Sequence, residues 1–149
     1  MKRFLLILLC CFLLSSCTKA EPSPTTAPQQ SFWVYYGDEN AEKLLSTQVQ
    51  VPQIDEYTVI GQLIAAGVLQ DGIAVNTLEQ IDGILYIDFN QPFADLVCSM
   101  GTSGEYIIIG STVNTFLNAF QADSMVFTIN GETLESGHVI YDFPLEFMD

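Results

Sequence analysis

Cations are what this chain has least of. Lysine and arginine together number 4 in 149 residues and histidine 1, against 18 carboxylates, giving a formal net charge of −14. A surface with that balance repels a phosphate backbone, which excludes nucleic acid as a partner. It serves solubility, and it also draws cations or a basic protein surface. Histidine is confined to His138, so catalysis by a histidine base has a single candidate. Cysteine is nearly as thin. Cys10, Cys11 and Cys17 crowd the N-terminus and leave Cys98 by itself, so the rest of the chain holds neither an internal disulfide nor a multi-cysteine metal site. In Leu96-Val97-Cys98 that thiol reads as a small apolar residue near the core.

The N-terminal apolar run, Phe4 to Leu14, is also too short to cross a bilayer as a helix. It follows Met1-Lys2-Arg3, and a short cationic head before a short apolar stretch is the form of a secretory signal peptide. Leu14-Ser15-Ser16-Cys17 resembles a bacterial lipobox, which implies cleavage before Cys17 and diacylglycerol on its sulfur. Residues 1–16 are then the signal peptide, and Cys17 fixes the exported chain to the outer face of the cytoplasmic membrane. Stable anchoring takes at least two acyl chains, since one gives only marginal binding. Cleavage leaves Lys19 and Lys43 against the 18 carboxylates, a formal side-chain charge of −16.

Residues 17–30 carry Pro22, Pro24 and Pro28 among Thr, Ser, Gln and Ala. This is an extended tether, reaching at most roughly 40 Å at about 3.1 Å per residue. The domain is expected over residues 31–149, enough for one core. Phe32 to Tyr36 is aromatic and β-branched and reads as a strand. Leu45, Thr47, Val49 and Val51 alternate with Ser46, Gln48 and Gln50, a second strand with one face buried. Tyr57, Ile60, Leu63, Ile64 and Gly67 then fall on a helical stripe, with Asp55 as N-cap. Ile73–Gln80 and Ile84–Asn90 flank Asp82-Gly83, a tight hairpin turn, and Gln91-Pro92 ends the second of these strands. Ile109, Val113, Phe116, Leu117 and Phe120 mark a second helix with Ser103 as a cap. Met125–Asn130 is a strand closed by Asn130-Gly131, and Gly137–Tyr141 is expected to add a short last one. The reading is an α+β fold of order roughly β-β-α-β-β-α-β, two helices packed on one face of a small mixed sheet.

Several stretches of this order resemble the GerMN domain of sporulation and spore germination lipoproteins. They are Glu79-Gln80-Ile81-Asp82-Gly83-Ile84-Leu85-Tyr86-Ile87-Asp88-Phe89, Thr112-Val113-Asn114-Thr115-Phe116, Val126-Phe127-Thr128-Ile129-Asn130-Gly131 and Ser136-Gly137-His138. The resemblance runs from Phe32 to Leu145 in one copy, where the best-known arrangement has two. It implies a non-enzymatic envelope domain, similar in fold to ring-building modules of sporulation channel assemblies, and it transfers no catalytic residues.

The residues themselves offer little chemistry. Ser103, His138 and Asp142 make the only imaginable nucleophile set, without a nucleophile-elbow pattern around Ser103. Gly101-Thr102-Ser103-Gly104 lacks the lysine of a phosphate loop. Asp38, Glu39, Asn40 and Glu42 do not have EF-hand spacing and read as a solvated loop. Asp88 is solvated if it shares a wet face with Tyr86; if buried, it must hydrogen-bond or shift its pKa upward. Phe32, Trp33, Tyr35 and Tyr36 leave one alternating pair at least partly exposed, suited to partner docking or to stacking on sugar rings, unless another layer covers it. No enzyme, cofactor or metal is expected. The expected role is a lipid-anchored protein-binding or assembly module that docks by a strand edge or helix face on an envelope protein or on itself. A glycan- or ligand-binding lipoprotein is the alternative, and a cell-wall hydrolase comes third.

Overall fold

Turn and cap chemistry places most of the elements. The computed structural model describes residues 29–149; the expected signal peptide, the expected lipid attachment at Cys17 and residues 18–28 of the expected tether lie outside them. Strands β1 (Gln30–Gly37) and β2 (Leu44–Val51) pair antiparallel, with Phe32 opposite Val49 and Val34 opposite Thr47. Their connection is fastened by Asp38, whose carboxylate accepts the Glu42 N–H at 2.7 Å and the Lys43 N–H at 3.3 Å. The Glu42 bond above all holds that carboxyl below its usual range. Helix α1 (Glu56–Ala65) starts at Asp55, which accepts the Thr58 N–H at 2.8 Å as an N-cap should. Strands β3 (Val75–Ile81) and β4 (Ile84–Phe89) meet at Asp82 and Gly83, with φ of 49° and 82°, the left-handed pair that a two-residue hairpin needs.

Two short-range readings change at this point. Gln91-Pro92 does not merely stop β4; it opens helix α2 (Gln91–Cys98), in whose first turn a proline costs no hydrogen bond. The long helix α3 (Thr102–Phe120) starts from Gly101, so Ser103 is an exposed residue of its first turn and not a cap. Strand β5 (Ser124–Ile129) then runs parallel to β4, with Ile87 opposite Phe127. The last stretch forms only isolated bridges, Glu135 to Ile140 and Met125 to Leu145, in place of a further strand.

The architecture is α+β and keeps the expected strand order, with α2 inserted. The strands divide between two sheets, β1-β2 and β3-β4-β5. The physical reason lies at the outer edge of β1. There the Trp33 N–H donates to Asn118 Oδ1 at 2.7 Å and the Tyr35 N–H to Thr115 Oγ1 at 2.9 Å. Both acceptors belong to α3, so a helix takes the edge on which another strand would pair. Gly110 lets α3 come close to β2, because a Cβ there would stand 2.9 Å from Leu44 Cδ1.

The core gathers between α3 and the three-stranded sheet. Leu85, Ile87 and Phe89 of β4 and Met125, Phe127 and Ile129 of β5 are buried on one face by the two-residue period. Phe89 stacks on Phe93 at 4.2 Å and meets Phe116 and Phe127 edge-on at 6.0 Å each. Some expected core positions are outside it. Leu45 and Tyr57 are exposed; the buried stripe of α1 is Val59, Ile60 and Leu63. Cys98 is exposed too, at the C-terminal end of α2, its Sγ 3.9 Å from the Glu135 carbonyl. No helix among the described residues is long and apolar enough to cross a membrane.

Candidate functional site

Helix α3 buries five polar side chains, Glu105, Ser111, Thr112, Asn114 and Thr115, and the chain treats Asn114 and Glu105 differently. Asn114 is buried, donates from Nδ2 to the Met148 carbonyl at 2.6 Å and accepts the Met148 N–H at 2.8 Å. Both halves of the amide are satisfied, and the C-terminal tail is pinned along the helix. Glu105, one turn into α3, is 3% exposed and is the one charged residue buried among those described. Its Oε1 accepts the Ser136 hydroxyl at 2.6 Å and the Tyr141 hydroxyl at 2.7 Å. Its Oε2 has no hydrogen-bond partner and lies 3.9 Å from His138 Nε2. The Ser111 and Thr112 hydroxyls are also unpartnered, but a neutral hydroxyl costs far less to leave bare than a carboxylate oxygen. Burial, and then the hydrogen bond and charge of Glu105, push the Tyr141 hydroxyl well above its usual range, so it remains a donor.

Glu105 lines a cleft of about 330 Å³ between the first half of α3 and the segment 138–148. Its walls are apolar, formed by Ile109, Val139, Leu145 and Met148 with the rings of Tyr106 and Phe143. His138, with 40% of its side chain exposed, stands at the rim. A mostly apolar concavity with one placed polar group is the usual form of a binding site.

An aromatic surface adjoins the same tail. Trp33 is 41% exposed on the outer face of β1, beside half-buried Tyr35. The Tyr35 ring meets Phe147 edge-on at 5.2 Å, and Phe147 and Phe143 are 52% and 45% exposed. Tyr106 and Phe143 line the neighbouring cleft, and the Tyr106 hydroxyl donates to the Asp149 carbonyl. Of the four first-strand aromatics, then, Phe32 belongs to the core and Tyr36 packs against it, while Trp33 and Tyr35 face outward. The edge of β1 is occupied by α3 at Trp33 and Tyr35, so what this strand offers a partner is a side-chain face.

The other sequence candidates fall apart or turn structural. No hydrogen bond among the described residues joins Ser103, His138 and Asp142. Asp88 shares the outer face of the sheet with Tyr86 and fastens a turn. It accepts the Thr128 hydroxyl at 2.6 Å, the Gly131 N–H at 2.7 Å and the Asn76 amide at 2.8 Å. Burial pushes its carboxyl up, and those three donors outweigh it and hold the group below its usual range. Among the described residues no group of three or more His, Cys, Asp or Glu converges as a metal site. Glu105 itself is a residue the sequence reading passed over. Its signal was available: it stands four residues before Ile109, on the stripe that continues through Val113 and Phe116, and an acid at a core position asks for a partner.

An α+β domain of this form, with one long helix between two small sheets, has the fold of GerMN domains. The first GerMN domain of the sporulation protein GerM from Bacillus subtilis superposes with a TM-score of 0.55 at 17% identity, over 82% of this chain and 99% of that one. The tandem GerMN domains of the same protein give 0.54 at 13% identity, over 88% of this chain and 48% of that one. The chain thus spans about half the length of the tandem. A Clostridium perfringens protein assigned as a lipoprotein gives 0.51 at 15% identity, over 79% of this chain and 87% of that one. No curated protein matches the sequence. The model of the Germane family, described as sporulation and spore germination, matches residues 33–135, and the chain belongs to that family.

Proposed function

We propose that this chain is an exported, lipid-anchored envelope protein whose Germane domain works as a non-catalytic protein-binding module in sporulation or germination. The observation that carries the reading is the gathering of exposed aromatics, Trp33, Phe143 and Phe147 with Tyr35 and Tyr106, on β1, α3 and the C-terminal tail. Aromatic rings with one wet side supply contact area at low entropic cost and are enriched at interfaces. Family membership supports a sporulation setting. The lipobox at Cys17 supports the anchor, as does a structural neighbour assigned as a lipoprotein. The mechanism is docking: lipid holds the chain at the membrane, the proline-rich tether gives it reach, and the aromatic face makes the contact.

Affinity capture of the full chain from cross-linked, detergent-solubilised envelopes tests this. Recovery of a defined envelope protein or of a second copy, lost in Trp33→Ala/Phe147→Ala, is the expected result. Cys17→Ser is expected to release the chain from membranes and abolish acyl labelling. Retention without label would overturn the anchor, and capture indifferent to the aromatic pair would overturn the docking face. A second reading has one observation in its favour. Trp33 lies opposite Gln48, whose Nε2 donates to Ser31 Oγ at 3.3 Å, so the exposed indole is framed by amide and hydroxyl groups as in sugar-stacking sites. Glycan-array binding lost in Trp33→Ala, with no protein captured, would favour it.

A further inference from the structure

We infer that the cleft over Glu105 is a receptor for a lysine side chain carried on an apolar segment of a partner polypeptide. The first observation is the unpartnered oxygen. Glu105 is 3% exposed and is among the residues lining a cleft of about 330 Å³, and its Oε2, closed to solvent in the free chain, has no hydrogen-bond donor. A buried carboxylate oxygen left bare is costly, and it is retained where something else supplies the donor. The chain does not supply it readily. Among the described residues the only lysine is Lys43, in the β1–β2 connection, and there is no arginine. His138 Nε2 is the nearest basic atom, at 3.9 Å, beyond hydrogen-bond reach.

The second observation selects the cation. Oε1 is already held by the Ser136 and Tyr141 hydroxyls. A guanidinium fork needs two free oxygens in one plane, and this carboxylate offers one. An ammonium is a point charge that can pair with a single oxygen, with its remaining donors turned to the solvent side of the cleft. The third observation fits the rest of the side chain. Ile109, Val139, Leu145 and Met148 line the cleft together with Tyr106 and Phe143. Such a lining accepts the four-carbon stem of lysine, and the partly exposed rings accept apolar neighbours on either side of it. Net charge of −14 adds long-range attraction for a basic segment. The inference deepens the protein-binding reading and rests on it only for the polypeptide nature of the ligand.

The test uses the full chain in detergent micelles, with ¹³C-methyl NMR signals of Ile109, Val139, Leu145 and Met148 as the readout. The probes are acetyl-Phe-Leu-Lys-Leu-Phe-amide, the same peptide with norleucine or arginine in place of lysine, and n-hexylammonium. The lysine peptide is expected to bind about tenfold more tightly than the norleucine and arginine peptides, the difference expected of one charge-assisted hydrogen bond. Glu105→Gln should abolish that preference while leaving the methyl spectrum dispersed. Val139→Phe, which narrows the cleft while keeping Glu105, should weaken the lysine peptide and provides a second variant if Glu105→Gln does not fold. Equal binding of the lysine and norleucine peptides, or a lysine preference that survives Glu105→Gln, would overturn the inference. Saturation by n-hexylammonium with no response to the lysine peptide would also overturn it, by assigning the cleft to a free amine. Aromatic-dependent capture of an envelope protein does not depend on these outcomes, so failure of the lysine cleft and failure of the docking reading are separately visible.

Discussion

The two ends of α3 sit among similar residues and behave in opposite ways. Toward its C-terminal half, Phe116 closes against Phe89 in a core with Phe93 and Phe127, where every ring is buried. Toward its N-terminus, Tyr106 and Ile109 face a cleft with Phe143 and Met148, where the rings stay partly out. Asn114 and Glu105 repeat the contrast in polar form. The amide is satisfied from both sides by Met148, and the carboxylate from one side only. Aromatic content alone therefore does not separate core from surface here. The difference lies in whether each group's contacts are completed within the chain.

Substitutions can break this contrast, and the largest effect is expected in the closed core. Phe116→Ala should cost about 3–5 kcal/mol in urea unfolding, whereas Phe143→Ala, 45% exposed, should cost less than about 1 kcal/mol. Equal losses would erase the distinction. Next comes Asn114→Ala, which strips the Met148 N–H and carbonyl of their partners. It should cost about 1–3 kcal/mol and speed hydrogen exchange at the Met148 amide. Glu105→Gln should go the other way, leaving stability unchanged or raising it by up to about 1 kcal/mol, because it removes a charge with one bare oxygen. A loss as large as that of Asn114→Ala would mean that Oε2 is satisfied in the free protein.

The smallest effect is expected on the outer face of the three-stranded sheet. Asp88 has its folded pKa lowered by three donors that outweigh the effect of burial. Its contribution is therefore fully present above the unfolded value, about 3.9, and is lost as pH falls through the lower folded value. Asp88→Asn should reduce stability slightly at neutral pH and flatten its decline below about pH 4, followed by thermal unfolding across pH. An unchanged acid profile would assign the decline to other carboxylates.

Much of the fold was legible because its signals are local. Asp55 capped α1, Asp82-Gly83 made the β3–β4 turn, and the Ile109–Phe120 stripe marked α3. Helix α2 was missed because Pro92 carries two local meanings, strand terminator and first-turn residue, and only the apolar positions Phe93, Ala94, Leu96 and Val97 decide between them. The division into two sheets was not legible, since it depends on Asn118 and Thr115 reaching strand N–H groups more than 75 residues away. The candidate site was half legible. Trp33 and Tyr35 stood out by composition; Glu105 stood on the apolar stripe of α3, but its partners Ser136, His138 and Tyr141 lie more than 30 residues away and only the folded tail brings them to it.

The most direct test of the account places a photo-crosslinking residue at one position at a time in the full chain, in its native envelope. Positions 33, 143 and 147 sample the aromatic face, and positions 57 and 86 sample exposed tyrosines elsewhere, Tyr57 being 74% exposed. The account predicts one recurrent protein adduct from the first set and none from the second. Adducts of equal yield from both sets, or from positions 57 and 86 alone, would contradict it.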